Sequence, residues 1–270
     1  MLRGLRQFVV GLAALAGVLA ASAPASAGYP DRPVRWLIGF AAGGPVDIVA
    51  RIMAQWLSDH FGQQFIVENK AGAGGMIEGE AFAKSAPDGY TLFVTAASIF
   101  VLNPLLYKKL PYDPARDFRL LSVITDSPMI MEVNPSVPAK TVAEFVAYAK
   151  KNPGKVTYAT PGTGTSLHVG MEQVALMAGI KLTQVPFKGG AETNAAVLGQ
   201  HTMLQADSTG WRPLVDAGKL RLLMVWTGTR SPNYPDVPTL KELGYPMIYD
   251  SPFGIAGPKG MDPKIVAKLH

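Results

Sequence analysis

The sequence contains no cysteine, so neither disulfides, nor a thiolate metal site, nor a lipid anchored on a cysteine can hold this protein. Its stability must come from a packed core. There are four histidines, His60, His168, His201 and His270. His168 and Glu172 share a helix face at i,i+4 spacing, but no third ligand is placed to complete a metal pattern, so no metal and no cofactor is expected. His168 reads as a hydrogen-bonding or packing residue near a pocket. Twenty-five Lys and Arg against 20 Asp and Glu give a net charge of +5. The basic residues are scattered, without a basic arm or a stacking aromatic motif, which argues against nucleic acid as a partner.

What is present begins with MLRGLRQFVVGLAALAGVLAASAPASA. Arg3 and Arg6 precede an apolar run from Phe8 to Ala20, and the small residues Ala25, Ser26 and Ala27 follow. That order is the pattern of a secretory signal peptide over residues 1–27. No other stretch approaches the roughly 20 apolar residues of a membrane-spanning helix. A soluble, exported mature chain beginning at Gly28 is therefore expected. The 48% hydrophobic content suffices for one large core or two smaller ones.

Hydrophobic periodicity points to two lobes. VRWLIGF (34–40) reads as a buried strand, AAGGPV as a turn, and Asp47 as the N-cap of a helix with Ile48, Ile52, Met53, Trp56 and Leu57 on one face. QFIVE, a helix through 81–84, the turn Pro87 to Gly89 and YTLFVT continue the alternation of strand and helix, the pattern of a parallel sheet with helices on its faces. After a proline-rich passage the alternation restarts. Thr141 and Glu144 form a capping box, and VTYAT, KLTQVPF, TMLQAD and LRLLMVW alternate with helices from about Ser166, about Ala191 and near Trp211. Two segments carry Asp-Ser-Pro between strand-like residues: Leu121 to Val133, and Met247 to Gly257. They read as two crossings between lobes, a hinge. The expected organisation is lobe I from residues 28–127 and 250–270, and lobe II from 128–249. Asp262 and Pro263 open a helix of only about two turns before the chain stops, so a C-terminal truncation of the sequence is expected.

Each lobe repeats one local device. GFAAGGPVDI (39–48) and ATPGTGTSLH (159–168) both stand where a strand hands over to a helix. Glycine lets backbone N–H groups turn toward a ligand, and a helix N-terminus adds about half a positive charge. Either loop alone reads as an ordinary turn; their pairing across two lobes favours two anion sockets. A P-loop needs a lysine that neither loop has, and Gly162 and Gly164 are followed by Leu167 rather than by the third glycine of a dinucleotide fingerprint. A hydrolase using Ser166 and His168 is the alternative from another class. These two residues lie two apart at a helix start, and no G-x-S-x-G elbow is present.

The blocks YPDRPVRWLIGFAAGGPVDIVARIMAQWL, VENKAGAGG, APDGYTL, NPLLYKKLPYDPARDF, NPGKVTYATPGTGTSLH, VPFKGG and RSPNYPDVPTLKELG resemble the periplasmic solute-binding receptors of tripartite tricarboxylate transporters. The resemblance runs from Tyr29 through nearly all of the remaining chain. It implies a non-enzymatic receptor with a two-lobed type II periplasmic-binding-protein (Venus flytrap) fold of α/β class, its hinge made by two crossing strands. Such a receptor is expected to be a monomer that closes on a small organic carboxylate and delivers it to membrane components. The binding residues the resemblance implies are Phe40, Ala42, Gly43, Gly44, Val46 and Asp47 in the first lobe, and Gly162, Thr163, Gly164, Thr165, Ser166 and His168 in the second. Ala96, Ser98, Lys188, Gly189 and Asp207 lie in loops that read the far end of the ligand, with Phe40, Phe187 and Trp211 as candidate walls. The first loop departs from the commoner glycine-rich, threonine-containing form by its Gly43-Gly44-Pro45-Val46. A dicarboxylate is the expected ligand, with an aromatic carboxylate next.

Overall fold

Strand β1, Val34–Ile38, is buried at four of its five positions, and buried strands of this kind need a helix on each face. The computed structural model, which describes residues 28–208 and 210–270, supplies them. The signal-peptide reading falls on residues 1–27, outside the described residues. The first set of elements is β1, α1 (Pro45–Phe61), β2 (Phe65–Asn69), α2 (Met76–Ala83), β3 (Thr91–Ala96), three short helices α3 (Ser98–Val101), α4 (Asn103–Leu106) and α5 (Pro114–Asp117), and β4 (Phe118–Thr125). The second is β5 (Ile130–Val133), α6 (Val142–Lys151), β6 (Val156–Thr160), α7 (Ser166–Ala178), β7 (Leu182–Pro186), α8 (Gly190–Leu198), β8 (Leu204–Asp207), α9 (Arg212–Asp216) and β9 (Arg221–Val225). The chain then returns for β10 (Phe253–Pro258) and α10 (Pro263–Leu269).

These strands form two five-stranded sheets, in the orders β2-β1-β3-β10-β4 and β7-β6-β8-β5-β9. The expected parallel sheets are mixed. β10 runs antiparallel to β3 and β4, and β5 antiparallel to β8 and β9, whereas β1 is parallel to β2 and β3, and β6 to β7 and β8. The physical reason lies in the connections. Strands fed by a crossover helix all end at the same edge of their sheet, but β5 and β10 enter from the other sheet, so they start at that edge and run away from it.

The two crossings meet where the Asp-Ser-Pro segments were read. Pro128 and Asp250 form an antiparallel bridge, and the Ser251 N–H donates to the Ser127 carbonyl at 3.1 Å. Ser127 Oγ in turn donates to the Ser208 carbonyl at 3.0 Å. The fold is therefore a two-lobed α/β structure with a paired hinge.

Helix α1 differs from its sequence reading. Pro45 occupies its first position and Gly44 its N-cap, so Asp47 lies within the first turn rather than capping. Proline's fixed φ and missing N–H suit that position. The buried face is Val46, Asp47, Ala50, Ala54 and Leu57, while Ile52 is 66% and Trp56 59% exposed. Two alanines let the helix lie close on its sheet, and the bulkier residues read as core turn outward. Elsewhere the helices follow their capping signals. Thr141 Oγ1 accepts the Glu144 N–H at 3.2 Å, Glu144 reaches back to the Lys140 N–H at 2.6 Å, and Asp262 accepts the Lys264 N–H at 2.8 Å. Phe82, Phe93, Phe118 and Tyr112 pack as one aromatic cluster beneath the first sheet, and Tyr158, Phe145, Met129, Met131 and Trp226 form the core of the second.

Candidate ligand-binding site

Because the parallel strands of both sheets end toward the hinge, their loops face one another across a cleft. A partly open cavity lies there, lined by Phe40, Pro45, Val46, Ala96, Ser98, Pro161, Thr165, Ser166, Leu167, Gly190, Ser208, Ser251 and Phe253. The lobes touch around it. The Ala41 N–H donates to the Lys188 carbonyl at 3.1 Å, and Tyr107 Oη donates to the Thr163 carbonyl at 3.2 Å. A Cβ placed on Gly74 would stand 2.8 Å from the Thr163 carbonyl oxygen, so only glycine permits this approach.

The first loop spends two of its donors internally and has lost a third to proline. The Gly43 N–H donates to Asp47 Oδ2 at 2.8 Å, the Gly44 N–H to the Ala41 carbonyl at 3.3 Å, and Pro45 has no N–H. Asp47 also receives Arg51 Nε at 2.9 Å and Asn69 Nδ2 at 2.9 Å. Burial works to raise its carboxyl, but these bonds outweigh burial and hold it below the ordinary aspartate range. Asp47 thus braces the loop, and Phe40 and Val46 are the residues that reach the cavity.

The second loop is built differently. Thr165 caps α7, accepting the His168 N–H at 3.4 Å, and its hydroxyl donates to the Gly162 carbonyl at 2.7 Å. No acid stands in the first turn of α7. Ser166, 6% exposed, sits at that end and lines the cavity. His168 Nδ1 accepts the Gly164 N–H at 3.2 Å, and burial pushes the ring below the ordinary histidine range against the opposing pull of Glu172. It is a neutral brace for the turn. Gly162 and Gly164 take positive φ, and Thr163 turns outward to Gln184.

On the far side, Lys188 is exposed while its carbonyl and N–H serve the loop, and Gly189 lies against Ala41. Asp207 ends β8 and is 1% exposed; its Oδ1 accepts the Ser208 N–H at 2.7 Å. It stands behind the lining residues Gly190 and Ser208. One layer deeper, Gln205 Nε2 donates to Glu132 Oε1 at 2.5 Å. Burial pushes the Glu132 carboxyl up to about 8, the Gln205 bond opposing and the Asp207 charge adding to the rise. An acid raised in this way holds its proton more tightly folded than unfolded, so stability falls as pH climbs from the ordinary glutamate range through about 8. Glu132→Gln is expected to flatten that decline. Denaturant midpoints at pH 5 and pH 8 check it, and an unchanged slope would count against the raised acid.

Of the residues expected from sequence, the structure brings Phe40, Val46, Ala96, Ser98, Thr165 and Ser166 to the cavity wall. Trp211 packs with Ile130, Leu222 and Val225, and Phe187 packs on Ala159, Val197 and Leu220, so both belong to core clusters. Phe253 and Ser251 were missed. They arrive on the returning crossing, more than eighty positions from either glycine-rich loop, and their only sequence signal is the second Asp-Ser-Pro.

Residues 49–270 match the family model described as tripartite tricarboxylate transporter family receptor. The UPF0065 protein in the gbd 5' region of Cupriavidus necator is 44% identical over 266 residues, which cover 98% of this chain and 81% of that protein. Among solved structures, an R. palustris protein with adipate is 34% identical with a TM-score of 0.86, the match covering 89% of this chain and 81% of that one. MatC from Rhodopseudomonas palustris, with bound malate, is 30% identical with a TM-score of 0.85 and covers 89% of this chain and 83% of its own.

Proposed function

We propose that this chain, which belongs to the tripartite tricarboxylate transporter receptor family, holds a small organic carboxylate between its lobes and delivers it to the membrane components of such a transporter. Receptors of this family are periplasmic solute-binding proteins rather than enzymes. In this reading lobe I comprises residues 28–127 and 250–270, lobe II comprises 128–249, and residues 1–27 direct export to the periplasm, where the receptor acts as a monomer. One observation carries the proposal: the acid-free N-terminus of α7 opens onto a partly open cavity that also holds Ser98, 1% exposed, whose hydroxyl has no partner. Buried hydroxyls are normally satisfied, and a carboxylate oxygen would satisfy this one while its charge meets the helix end. Adipate and malate in two structural relatives put dicarboxylates on the ligand panel, and the apolar walls put aromatic acids beside them.

The hydrolase alternative built on Ser166 and His168 gives way, since His168 Nδ1 accepts the Gly164 N–H, which puts the proton of the neutral ring on Nε2 and leaves no ring nitrogen to take the Ser166 proton. Purified protein incubated with a panel of carboxylates and esters should show thermal shifts with acids and no ester turnover. Turnover without a thermal shift by any acid would replace the receptor with an enzyme.

A further inference from the structure

Resting on the carboxylate reading, we infer that the cleft selects monocarboxylates with an apolar body over dicarboxylates, because only one of the three helix ends meeting there is open to an anion. The three helices, α1, α7 and α8, have 17, 13 and 9 residues, each long enough for a terminal dipole charge. The end of α1 is occupied by Asp47, which already takes the Gly43 N–H. The end of α8 carries two carboxylates: Glu192 Oε2 accepts the Lys188 N–H at 3.0 Å, and Asp207 Oδ1 lies 3.8 Å from where a Cβ on Gly190 would stand. The end of α7 has no acid, and the unpartnered Ser98 hydroxyl lines the same cavity.

Beyond the hydroxyls of Thr165, Ser208 and Ser251, the rest of the cavity offers no cation to a second charge. Phe40, Val46, Leu167 and Phe253 form apolar walls, and among the described residues no Lys, Arg or His lines it. A second ionised end would shed water against these walls with Asp207 and Glu192 on the α8 side, whereas a methyl or phenyl end loses nothing there. This reverses the order expected from sequence, where a dicarboxylate came first.

Matched acids test it. Calorimetry on the full chain at pH 7.5, with both acids fully ionised, should rank hexanoate above adipate and benzoate above terephthalate. At least one of the two pairs should differ by roughly 30-fold, about 2 kcal/mol. Asp207→Asn and Glu192→Gln should each narrow the gap within a pair. Adipate and terephthalate binding as tightly as their monoacid counterparts overturns the selectivity while leaving the carboxylate receptor intact. Binding of none of the four acids by folded protein sinks the carboxylate reading, and the selectivity with it. If Asp207→Asn does not fold, the wild-type pairs still decide.

Discussion

Ser166→Asp is expected to leave the fold intact and to weaken carboxylate binding by about a thousandfold. The residue opens α7 directly after the Thr165 cap, in a first turn that holds no acid. Aspartate there would meet the positive end of the helix, worth roughly 0.3–1 kcal/mol to the unliganded protein, so the melting temperature should hold or rise. The same charge would occupy the donors a ligand needs. At a separation of ~4 Å and an effective dielectric near 20, repulsion of an incoming carboxylate is ~4 kcal/mol, or roughly three decades in affinity. Ser166→Asn, similar in size and uncharged, should lose far less. Calorimetry with the tightest acid on all three proteins checks this, and equal affinities would reduce the PGTGTSLH turn to a structural connection.

The parts legible in the sequence were those governed by local rules. Thr141, Glu144 and Asp262 announce helix starts because side chain and target N–H lie within four residues of one another. The Asp-Ser-Pro segments announce the hinge for the same reason: proline and short polar residues interrupt a strand where they stand. What could not be read depends on which strand meets which. The reversal of β5 and β10 follows from the crossings and leaves no mark in their own residues. The outward turn of Ile52 and Trp56 follows from how closely Ala50 and Ala54 let α1 approach its sheet, and periodicity counts the larger side chains more heavily. In the cleft, GGPV and GTGTS both looked like anion loops. Proline at 45 and the acid at 47 consume the first, and only three-dimensional placement exposes the difference.

A second large effect is expected from Gly189→Val, which should block closure without disturbing either lobe. Gly189 caps α8 with φ 172° and ψ 172°, an extended conformation open to any residue, so a side chain there carries no backbone strain. Its obstacle is across the cleft. A Cβ at 189 would lie 3.0 Å from both the Cβ and the backbone nitrogen of Ala41, whose N–H donates to the neighbouring Lys188 carbonyl. Valine's two methyl groups enlarge that clash, and separating the lobes relieves it. An open protein can hold its ligand from one side only. If closure hides ~100 Å² of apolar surface at about 25 cal/mol per Å², its loss costs ~2.5 kcal/mol, or roughly 70-fold in affinity. Small-angle scattering should then show the wild type contracting on ligand addition and the valine variant keeping its radius, with melting temperatures alike in the absence of ligand. A variant that contracts and binds like the wild type would mean that the Ala41 and Gly189 contact is incidental, and that the ligand is enclosed by some other movement of the lobes.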